Sequence, residues 1–228
     1  MEFDRFKMLI NEDKFNKLQD ATVLILGLGG VGGSAAVNLV RSGVGHIILI
    51  DDDTVDITNI NRQVIAFHST IGLKKVDVLE KLLLDINKSI KITKLPVFYK
   101  EENKDIILNS KIDYILDCCD TINSKKVIIK QALENNISII SAMGTGNRFN
   151  PLNLVIRDIR ETSYDPIARI LRKWLKDEQI YNKIDVVTSL EHPQKLNNKV
   201  VGSTSFVPNA AGTIMAYFVV NKIMEIKK

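Results

Sequence analysis

A glycine run between an apolar segment and a run of small residues is the part of this chain best suited to chemistry. Residues 27–33 read Gly-Leu-Gly-Gly-Val-Gly-Gly, with apolar residues 23–26 before them and Ser34 after them. Glycines where a strand enters a helix let backbone N–H groups and the helix N-terminus face a phosphate group. A tight turn that binds nothing would use glycines too, so the downstream residues must indicate the chemistry. The glycines expected to cradle phosphate are Gly27, Gly29, Gly30 and Gly32.

Basic and amide side chains downstream of the glycines are suited to a nucleoside triphosphate. Asn59, Arg62 and Gln63 form one cluster, in which the two amides add neutral donors. Arg62 can hold two phosphate oxygens at once, and a nearby lysine, Lys74 or Lys75, acts as a movable point charge. Such a clamp would stabilise the charge that develops as pyrophosphate leaves. Either lysine taken alone could equally be a solvated surface residue.

Acidic residues follow two of the apolar segments. Asp51 ends the second segment, where the doubly wound fold places an acid that hydrogen-bonds ribose hydroxyls. Asp120 lies after the fourth segment, at the sheet edge where ligands bind in open α/β sheets. It is placed to hold a divalent cation on the phosphates or to orient the reacting groups. A second interpretation is that Asp117 or Asp120 caps the helix predicted to begin near residue 123.

Apolar segments alternate with segments of helical periodicity, which predicts an α/β fold with a doubly wound, mainly parallel sheet. Predicted strands up to residue 142 cover 23–26, 47–50, 90–97, 114–116 and 137–141, and predicted helices cover 31–41, 74–86, 104–108 and 123–135. Beyond it we predict strands at 154–157 and 184–188, helices at 166–176 and 209–226, and an exposed loop at 191–199. We expect one domain over residues 1–228, with a nucleotide-binding core (1–142) and a C-terminal elaboration for substrate and dimer contacts (143–228).

The composition is that of an ordinary globular protein, with 45% hydrophobic and 25% charged residues among 228. The formal charge of +4 permits an anionic partner without requiring one. The chain begins with charged residues rather than a signal peptide, and no apolar run is long enough to span a membrane, so we expect a cytoplasmic protein with no membrane partner. Its two cysteines, Cys118 and Cys119, are adjacent, which predicts reduced thiols and excludes a four-cysteine zinc site.

Taken in order, these motifs resemble the superfamily of ubiquitin-activating enzymes, which includes the ThiF-type bacterial adenylyltransferases that activate sulfur-carrier proteins. They are the glycine loop, Asp51, Asn-x-Asn-Arg-Gln at 59–63, Gly-x-x-Lys at 72–75 and Asp-x-x-Asp at 117–120. The resemblance covers residues 1 to about 142 and implies adenylation, in which a carboxylate attacks the α-phosphate of ATP and pyrophosphate leaves. The cofactors that it implies are ATP and Mg²⁺.

The resemblance also implies roles for single residues. Asp51 would bind the ribose, and Asp120 would lie beside the metal and the α-phosphate. The Gly-x-x-Lys spacing favours Lys75 over Lys74 as a phosphate ligand. Arg5 matches an N-terminal arginine that reaches the neighbouring subunit's nucleotide, which implies a homodimer. The implied phosphate ligands are Asn59, Arg62 and Lys75, and the implied catalytic residues are Arg5, Arg62, Lys75 and Asp120.

The chain departs from the sulfur-carrier activators in its cysteines. Those proteins usually carry two Cys-x-x-Cys pairs for zinc and often a cysteine that accepts the activated carboxylate, and this chain has neither. Segments at 144–151, 162–169 and 202–212 resemble a narrower family, the tRNA threonylcarbamoyladenosine dehydratases. That family implies ATP-dependent cyclisation of the threonylcarbamoyl group on the adenosine beside the anticodon of tRNA. The threonine carboxylate would be adenylated, and a nitrogen of the same modification would displace AMP, so no enzyme cysteine is needed.

A tRNA substrate requires a basic surface, and the helix predicted after Pro166 offers one. Its basic residues fall on one face at helical spacing, and its apolar residues form another face. The same pattern describes an amphipathic helix with a solvated basic face, an alternative that the sequence leaves open. Asn147 and Arg148, in the turn at 144–151, are candidates to hold the threonyl carboxylate. The predicted tRNA-binding residues are Arg169, Arg172, Lys173 and Lys176, and the predicted apolar face is Ile167, Ile170, Leu171 and Trp174.

Two other functions fit parts of the pattern. The first is an adenylyltransferase that activates the C-terminal carboxylate of a ubiquitin-like sulfur-carrier protein, with a sulfur-relay protein as a further partner. The second is a dinucleotide-binding oxidoreductase or a nucleotide sensor, neither of which would release pyrophosphate from ATP.

Overall fold

The described part of the chain, residues 2–196 and 200–225 of the computed structural model, alternates strands with helices. The strands are β1 (Thr22–Leu26), β2 (His46–Ile50), β3 (Lys91–Leu95), β4 (Tyr114–Asp117), β5 (Ser138–Ala142), β6 (Leu154–Asp158) and β7 (Asp185–Ser189). The helices are α1 (Asp4–Ile10), α2 (Glu12–Asp20), α3 (Gly30–Arg41), α4 (Lys75–Ile86), α5 (Ile122–Glu134), α6 (Pro166–Asp177) and α7 (Phe206–Glu225).

The strands form one sheet in the order β3-β2-β1-β4-β5-β7-β6, in which every pair is parallel except β6–β7. This confirms the predicted mainly parallel α/β fold. The sheet also joins the two parts of the chain, because β5 pairs with β7, which comes from the C-terminal third.

Helices cover both faces of the sheet. Alternate residues of a strand point to opposite faces, so β1 contributes to two apolar clusters. Val23 and Ile25 pack in a cluster that includes residues of α3, α4 and α7, whereas Leu24 and Leu26 pack in a second cluster that includes residues of α5 and α6. Burial on both faces explains why the strands read as nearly continuous apolar runs.

Each predicted strand is present, and the helix predictions differ from the structure at the two ends of the chain and at residues 104–108. Two helices, α1 and α2, were not predicted, because only Phe15 and Leu18 of α2 are buried and α1 buries none of its residues. The predicted helix at 104–108 lies within a 3-10 segment, Glu101–Asn109. Residue 226 of the last predicted helix, and residues 197–199 of the predicted loop, lie outside the described residues.

The last helix begins earlier than the prediction, at Phe206. The hydroxyl of Thr204 accepts hydrogen bonds from the N–H groups of Phe206 (3.2 Å) and Val207 (3.4 Å). Pro208 then falls in the first helical turn, where a missing N–H leaves no helical hydrogen bond unmade. No described helix is long and apolar enough to cross a membrane.

Helices α3 and α7 approach each other closely enough for their backbones to touch. A Cβ atom on Gly212 would lie 2.2 Å from the carbonyl oxygen of Val31, so only glycine fits there. The hydroxyl of Ser34 donates to the carbonyl of Asn209 at 2.9 Å across the same contact. As a result, the start of α7 lies against the helix that follows the glycine loop.

Candidate active site

A cavity of about 480 Å³ opens at the carboxyl ends of β1, β2 and β4. The ends of neighbouring parallel strands meet at one sheet edge, which is where the sequence predicted the ligand. Apart from Gly32, the residues predicted to contact the nucleotide all line this cavity: Gly27, Gly29, Gly30, Asp51, Asn59, Arg62, Gln63, Lys75 and Asp120.

The glycine loop is shaped by two positions that admit no side chain. Gly27 has a φ of +87°, and a Cβ there would lie 2.8 Å from the backbone of Cys119. A Cβ on Gly32 would lie 1.8 Å from the carbonyl oxygen of Gly27. Gly32 therefore lets the first turn of α3 pack on the loop, and it does so without lining the cavity.

Asp51 holds the glycine loop in place. One oxygen of its carboxylate accepts a hydrogen bond from the N–H of Leu28 at 2.6 Å, and the other accepts from the N–H of Asp53 at 2.9 Å. Burial raises the pKa of Asp51, although Lys75 and these backbone donors act in the opposite direction. The sequence predicted a ribose ligand here and did not indicate the contact with the loop.

Of the two adjacent lysines, the structure brings only Lys75 to the cavity. Lys75 is buried, and its Nζ lies 2.6 Å from an oxygen of the Asp53 carboxylate. Lys74 is exposed and donates to the carbonyl oxygen of Asp52 at 2.6 Å. Since Asp53 is itself exposed, an incoming phosphate can compete with it for the Lys75 ammonium.

Arg62 and the two amide residues line the same wall of the cavity. Nη1 of Arg62 donates to the carbonyl of Thr58 at 2.7 Å, which fixes the guanidinium, and no described residue accepts from its Nη2. Asn59 is buried and accepts from the N–H of Asp56 at 3.1 Å. Gln63 is also buried, and its Oε1 has no hydrogen-bond partner among the described residues. An unpaired buried acceptor is unfavourable, so a donor on a ligand is its natural partner.

Asp120 is exposed to the cavity and makes no hydrogen bond or ion pair with a described residue. The interpretation that an aspartate caps the next helix is wrong. The residue at the N-cap of α5 is Thr121, and no side chain makes a capping hydrogen bond there. The Asp120 carboxylate is therefore available to a ligand.

Asp117 belongs instead to a fully buried charged network behind the cavity. The ammonium of Lys125 donates to the carboxylate of Asp117 (2.9 Å), the hydroxyl of Ser141 (3.2 Å) and the carbonyl of Ala142 (2.7 Å). The hydroxyl of Ser141 donates to the same carboxylate at 2.5 Å. Burial alone would lower the pKa of Lys125, but the adjacent Asp117 outweighs it and raises the pKa, so the Lys125 side chain stays charged. The network ties the ends of β4 and β5 to α5.

The two cysteines are poor nucleophiles in this setting. Burial raises the pKa of both thiols, and the negative charge of Asp117 raises them further. The thiolate is the reactive form of cysteine, so neither Cys118 nor Cys119 is suited to accept an activated carboxylate. This agrees with the mechanism that the sequence predicted, in which no enzyme cysteine takes part.

Several predicted residues lie away from the cavity. Arg5 is exposed on α1 and does not line it. Arg148 is buried in an ion pair with Asp165 (3.0 Å), and Asn147 is bonded to the backbone of Gly202. The buried ion pair contradicts the prediction that Arg148 holds the threonyl carboxylate, whereas only Oδ1 of Asn147 is bonded, so its role stays a prediction.

On α6 the basic surface is smaller than the sequence suggested. Arg172 is half-buried, and its Nη1 donates to the carbonyl and hydroxyl of Thr162, which holds the guanidinium against the protein. Three residues of the predicted apolar face, Ile167, Leu171 and Trp174, pack in or against the core, whereas Ile170 is 44% exposed. The basic residues that remain exposed are Arg169, Lys173 and Lys176.

The sequence did not single out the remaining walls of the cavity. Val97 and Phe98 enter it because β3 ends at Leu95, and the turn after that strand lies at the same sheet edge. Thr145 and Ser203 come from the C-terminal third and line it from the opposite direction. The strand-end rule could have identified the first pair, whereas only the family resemblance of their segments pointed to the second.

Comparison with known proteins places these features in context. Residues 3–164 match the model of the ThiF family. The tRNA threonylcarbamoyladenosine dehydratase of Bacillus subtilis (strain 168) is 38% identical over 241 residues, covering 98% of this chain and 95% of that protein. The crystal structure of the E. coli tRNA N6-threonylcarbamoyladenosine dehydratase in complex with ATP has a TM-score of 0.91 at 29% identity, covering 98% of this chain and 93% of that one. The adenylyltransferase and sulfurtransferase UBA4 of Candida glabrata is 34% identical over 159 residues, covering 67% of this chain and 36% of that protein.

Proposed function

The chain belongs to the ThiF family. Within that family, we infer that it is an ATP-dependent tRNA threonylcarbamoyladenosine dehydratase. The likeness to the dehydratases carries this inference, because it extends over nearly the whole chain, including α6 and α7. The chemistry of the cavity is consistent with it, since Arg62, Lys75 and the glycine loop are suited to bind phosphate, and the thiols that line it are poor nucleophiles. The sulfur-carrier alternative is not favoured, because the likeness to UBA4 covers much less of both chains.

The reaction has two steps. An oxygen of the threonine carboxylate attacks the α-phosphorus of ATP and expels pyrophosphate, which gives an acyl adenylate. A nitrogen of the same modification then attacks the acyl carbon, AMP departs with the former carboxylate oxygen, and the nitrogen loses its proton. The nucleoside loses one water in total, and ATP becomes AMP and pyrophosphate. The attacking nitrogen and the acyl carbon belong to the same substrate group. Their proximity accelerates ring closure, so no enzyme cysteine is needed to accept the acyl group first.

We propose that different residues of the cavity bind different parts of the nucleotide. The glycine-loop amides, Asn59, Arg62 and Lys75 would bind the phosphates, and the carboxylate of Asp51 would also accept a ribose hydroxyl. The unpaired Oε1 of Gln63 supports a ligand donor at that wall. Fixed donors of this kind stabilise the charge that develops on the departing pyrophosphate.

A Mg²⁺ ion on the phosphates would be bound by Asp120, whose exposed carboxylate is the oxygen ligand that this ion prefers. The ion would neutralise phosphate charge. The carboxylates of Asp51, Asp52 and Asp53 also lie within 4.8 Å of one another. Asp51 already accepts from the N–H of Leu28, and Asp53 is already paired with Lys75, which favours Asp120 as the metal ligand.

We propose that the protein acts in the cytoplasm as a homodimer in which Arg5 reaches the partner's nucleotide. Helix α1 supports a contact of this kind, because Met8 and Leu9 on it are 83% and 82% exposed. A partner subunit would bury this apolar surface, and Arg5 on the same helix would then lie at the subunit interface. A sulfur-relay protein stays a lesser proposal, with no described surface assigned to it.

The decisive test of the function uses tRNA that carries the uncyclised modification. The tRNA is incubated with enzyme and ATP, digested under mild conditions, and the adenosine nucleoside is weighed by mass spectrometry. We expect a loss of one water that depends on ATP, with pyrophosphate released in equal amount. An unchanged mass, together with pyrophosphate release on addition of a ubiquitin-like protein, would move the assignment to a protein carboxylate.

The exposed basic residues of α6 are proposed to bind tRNA phosphates. The double variant Arg169→Ala and Lys173→Ala should weaken tRNA binding and reduce the slope of log K against log salt by about 0.7–0.9 for each phosphate that is no longer neutralised. Binding is measured by titration at several salt concentrations. The control is the double variant Lys88→Ala and Lys91→Ala, which removes two exposed cations near the amino end of β3, at the opposite sheet edge. Equal slopes for the two double variants would show that the basic face of α6 is solvated and does not bind tRNA phosphates.

A further inference from the structure

We propose that Phe149 and Phe206 form a stacking subsite for the purine base that carries the modification in the tRNA substrate. The proposal rests on the proposed function and adds a binding site to it. The two rings form an edge-to-face pair with centroids 5.6 Å apart. They are 58% and 53% exposed, so much of each aromatic surface faces outward.

The two aromatic residues are carried by two segments that line the nucleotide cavity. Phe206 falls between Ser203 and Pro208, both of which line the cavity. Phe149 lies in the loop that begins after β5, and this loop contributes Thr145 to the cavity wall. The exposed pair is therefore continuous with the site where the α-phosphate is expected.

The loop that carries Phe149 is held in place by many hydrogen bonds. Asn147 exchanges two bonds with Gly202, at 2.8 and 2.7 Å, which joins this loop to the segment that leads to Phe206. The N–H of Phe149 donates to the carboxylate of Glu191 at 3.1 Å, and Arg148 is fixed by its buried ion pair. An exposed ring on a rigid backbone loses little entropy when a ligand binds to it.

The chemistry of the substrate places its purine at this position. The carboxylate to be adenylated is only a few bonds from N6 of the adenine, so the base must lie close to the α-phosphate but outside the triphosphate cavity. Bases in single-stranded RNA loops are recognised by stacking on aromatic side chains. Phe149 and Phe206 are two such rings beside the cavity. The adjoining loops, residues 143–153 and 190–205, contain no carboxylate other than that of the half-buried Glu191, which already accepts from the backbone of the loop.

The test compares Phe149→Ala and Phe206→Ala with the wild-type enzyme. Each variant should raise KM for tRNA carrying the uncyclised modification by about ten-fold, within the range for one base stacked on one side chain. The Kd for ATP alone should not change, because neither ring lines the phosphate cavity. The control is Leu152→Ala, which truncates an 89% exposed apolar residue after the same loop. Phe149→Trp should recover most of the affinity lost in Phe149→Ala, because a larger ring still stacks.

The outcomes separate the subsite from the function on which it rests. An active wild-type enzyme whose KM is the same in Phe149→Ala, Phe206→Ala and Leu152→Ala would overturn the subsite and leave the dehydratase assignment standing. A loss of ATP binding in either phenylalanine variant would also overturn it, since the rings would then act on the nucleotide. A wild-type enzyme that does not dehydrate the modified tRNA would overturn the proposed function, and the subsite with it.

Discussion

Arg62→Ala is expected to lower kcat/KM for dehydration of the modified tRNA by about 10²–10³-fold, the effect of removing one fixed donor from a developing negative charge. Arg62 lines the cavity with one nitrogen held by the carbonyl of Thr58 and with Nη2 unbonded within the described residues. The bond to Thr58 is local and exposed, so its loss should leave the fold intact. Steady-state kinetics with ATP and the modified tRNA measure the effect.

Two further variants make this result specific. Arg41→Ala removes an exposed guanidinium at the far end of α3, roughly 16 Å along the helix from the glycine loop, and should retain wild-type activity. Arg62→Lys keeps the charge but cannot hold two phosphate oxygens in a fixed geometry, so an intermediate loss is expected. Wild-type kcat/KM in Arg62→Ala would exclude Arg62 from the phosphate site.

Lys125→Met is expected to lower the free energy of unfolding by about 3–5 kcal/mol, because it leaves the carboxylate of Asp117 buried without its counter-ion. Both side chains of the pair are 0% exposed, so water cannot replace the ammonium. For a chain of this length the loss corresponds to a fall in Tm of roughly 6–20 °C. Chemical and thermal unfolding of the purified variants measure it.

The same helix provides a matched control for the buried pair. Lys130→Met breaks the exposed pair between Lys130 and Glu178 (3.4 Å) and should change the stability by less than about 1 kcal/mol. The double variant Lys125→Met and Asp117→Leu removes both charges and should recover much of the lost stability. Equal stabilities of Lys125→Met and Lys130→Met would show that the buried network contributes little.

The sequence predicts the sheet and the position of the cavity at its edge well, for a physical reason. Asp51 and Asp120 follow the ends of the parallel strands β2 and β4, and the fold brings such positions to one edge. The distance between them in sequence therefore matters little. Their presence together in the cavity follows from the strand order, whereas Arg62 and Lys75 lie in the long connection between β2 and β3, where the family resemblance indicated them.

The sequence is less informative about side chains whose partners come from distant segments. Arg148 and Arg172 resemble free cations in the sequence, yet one is paired with Asp165 and the other is folded back on Thr162. Neither contact has a periodic signal, because each depends on how a loop returns to a helix. Phe149 and Phe206 meet for the same reason, fifty-seven residues apart in the chain.

The contact between Gly27 and the backbone at Cys118 and Cys119 has a consequence for the order of events in catalysis. The glycine loop and the turn that leads to Asp120 touch through main-chain atoms, so no side-chain rotamer sets their spacing. The two halves of the site are thus at their working separation before ATP arrives. Nucleotide binding should therefore require no change in the spacing of these two backbone segments, and a structure with ATP bound should show the same main-chain contact.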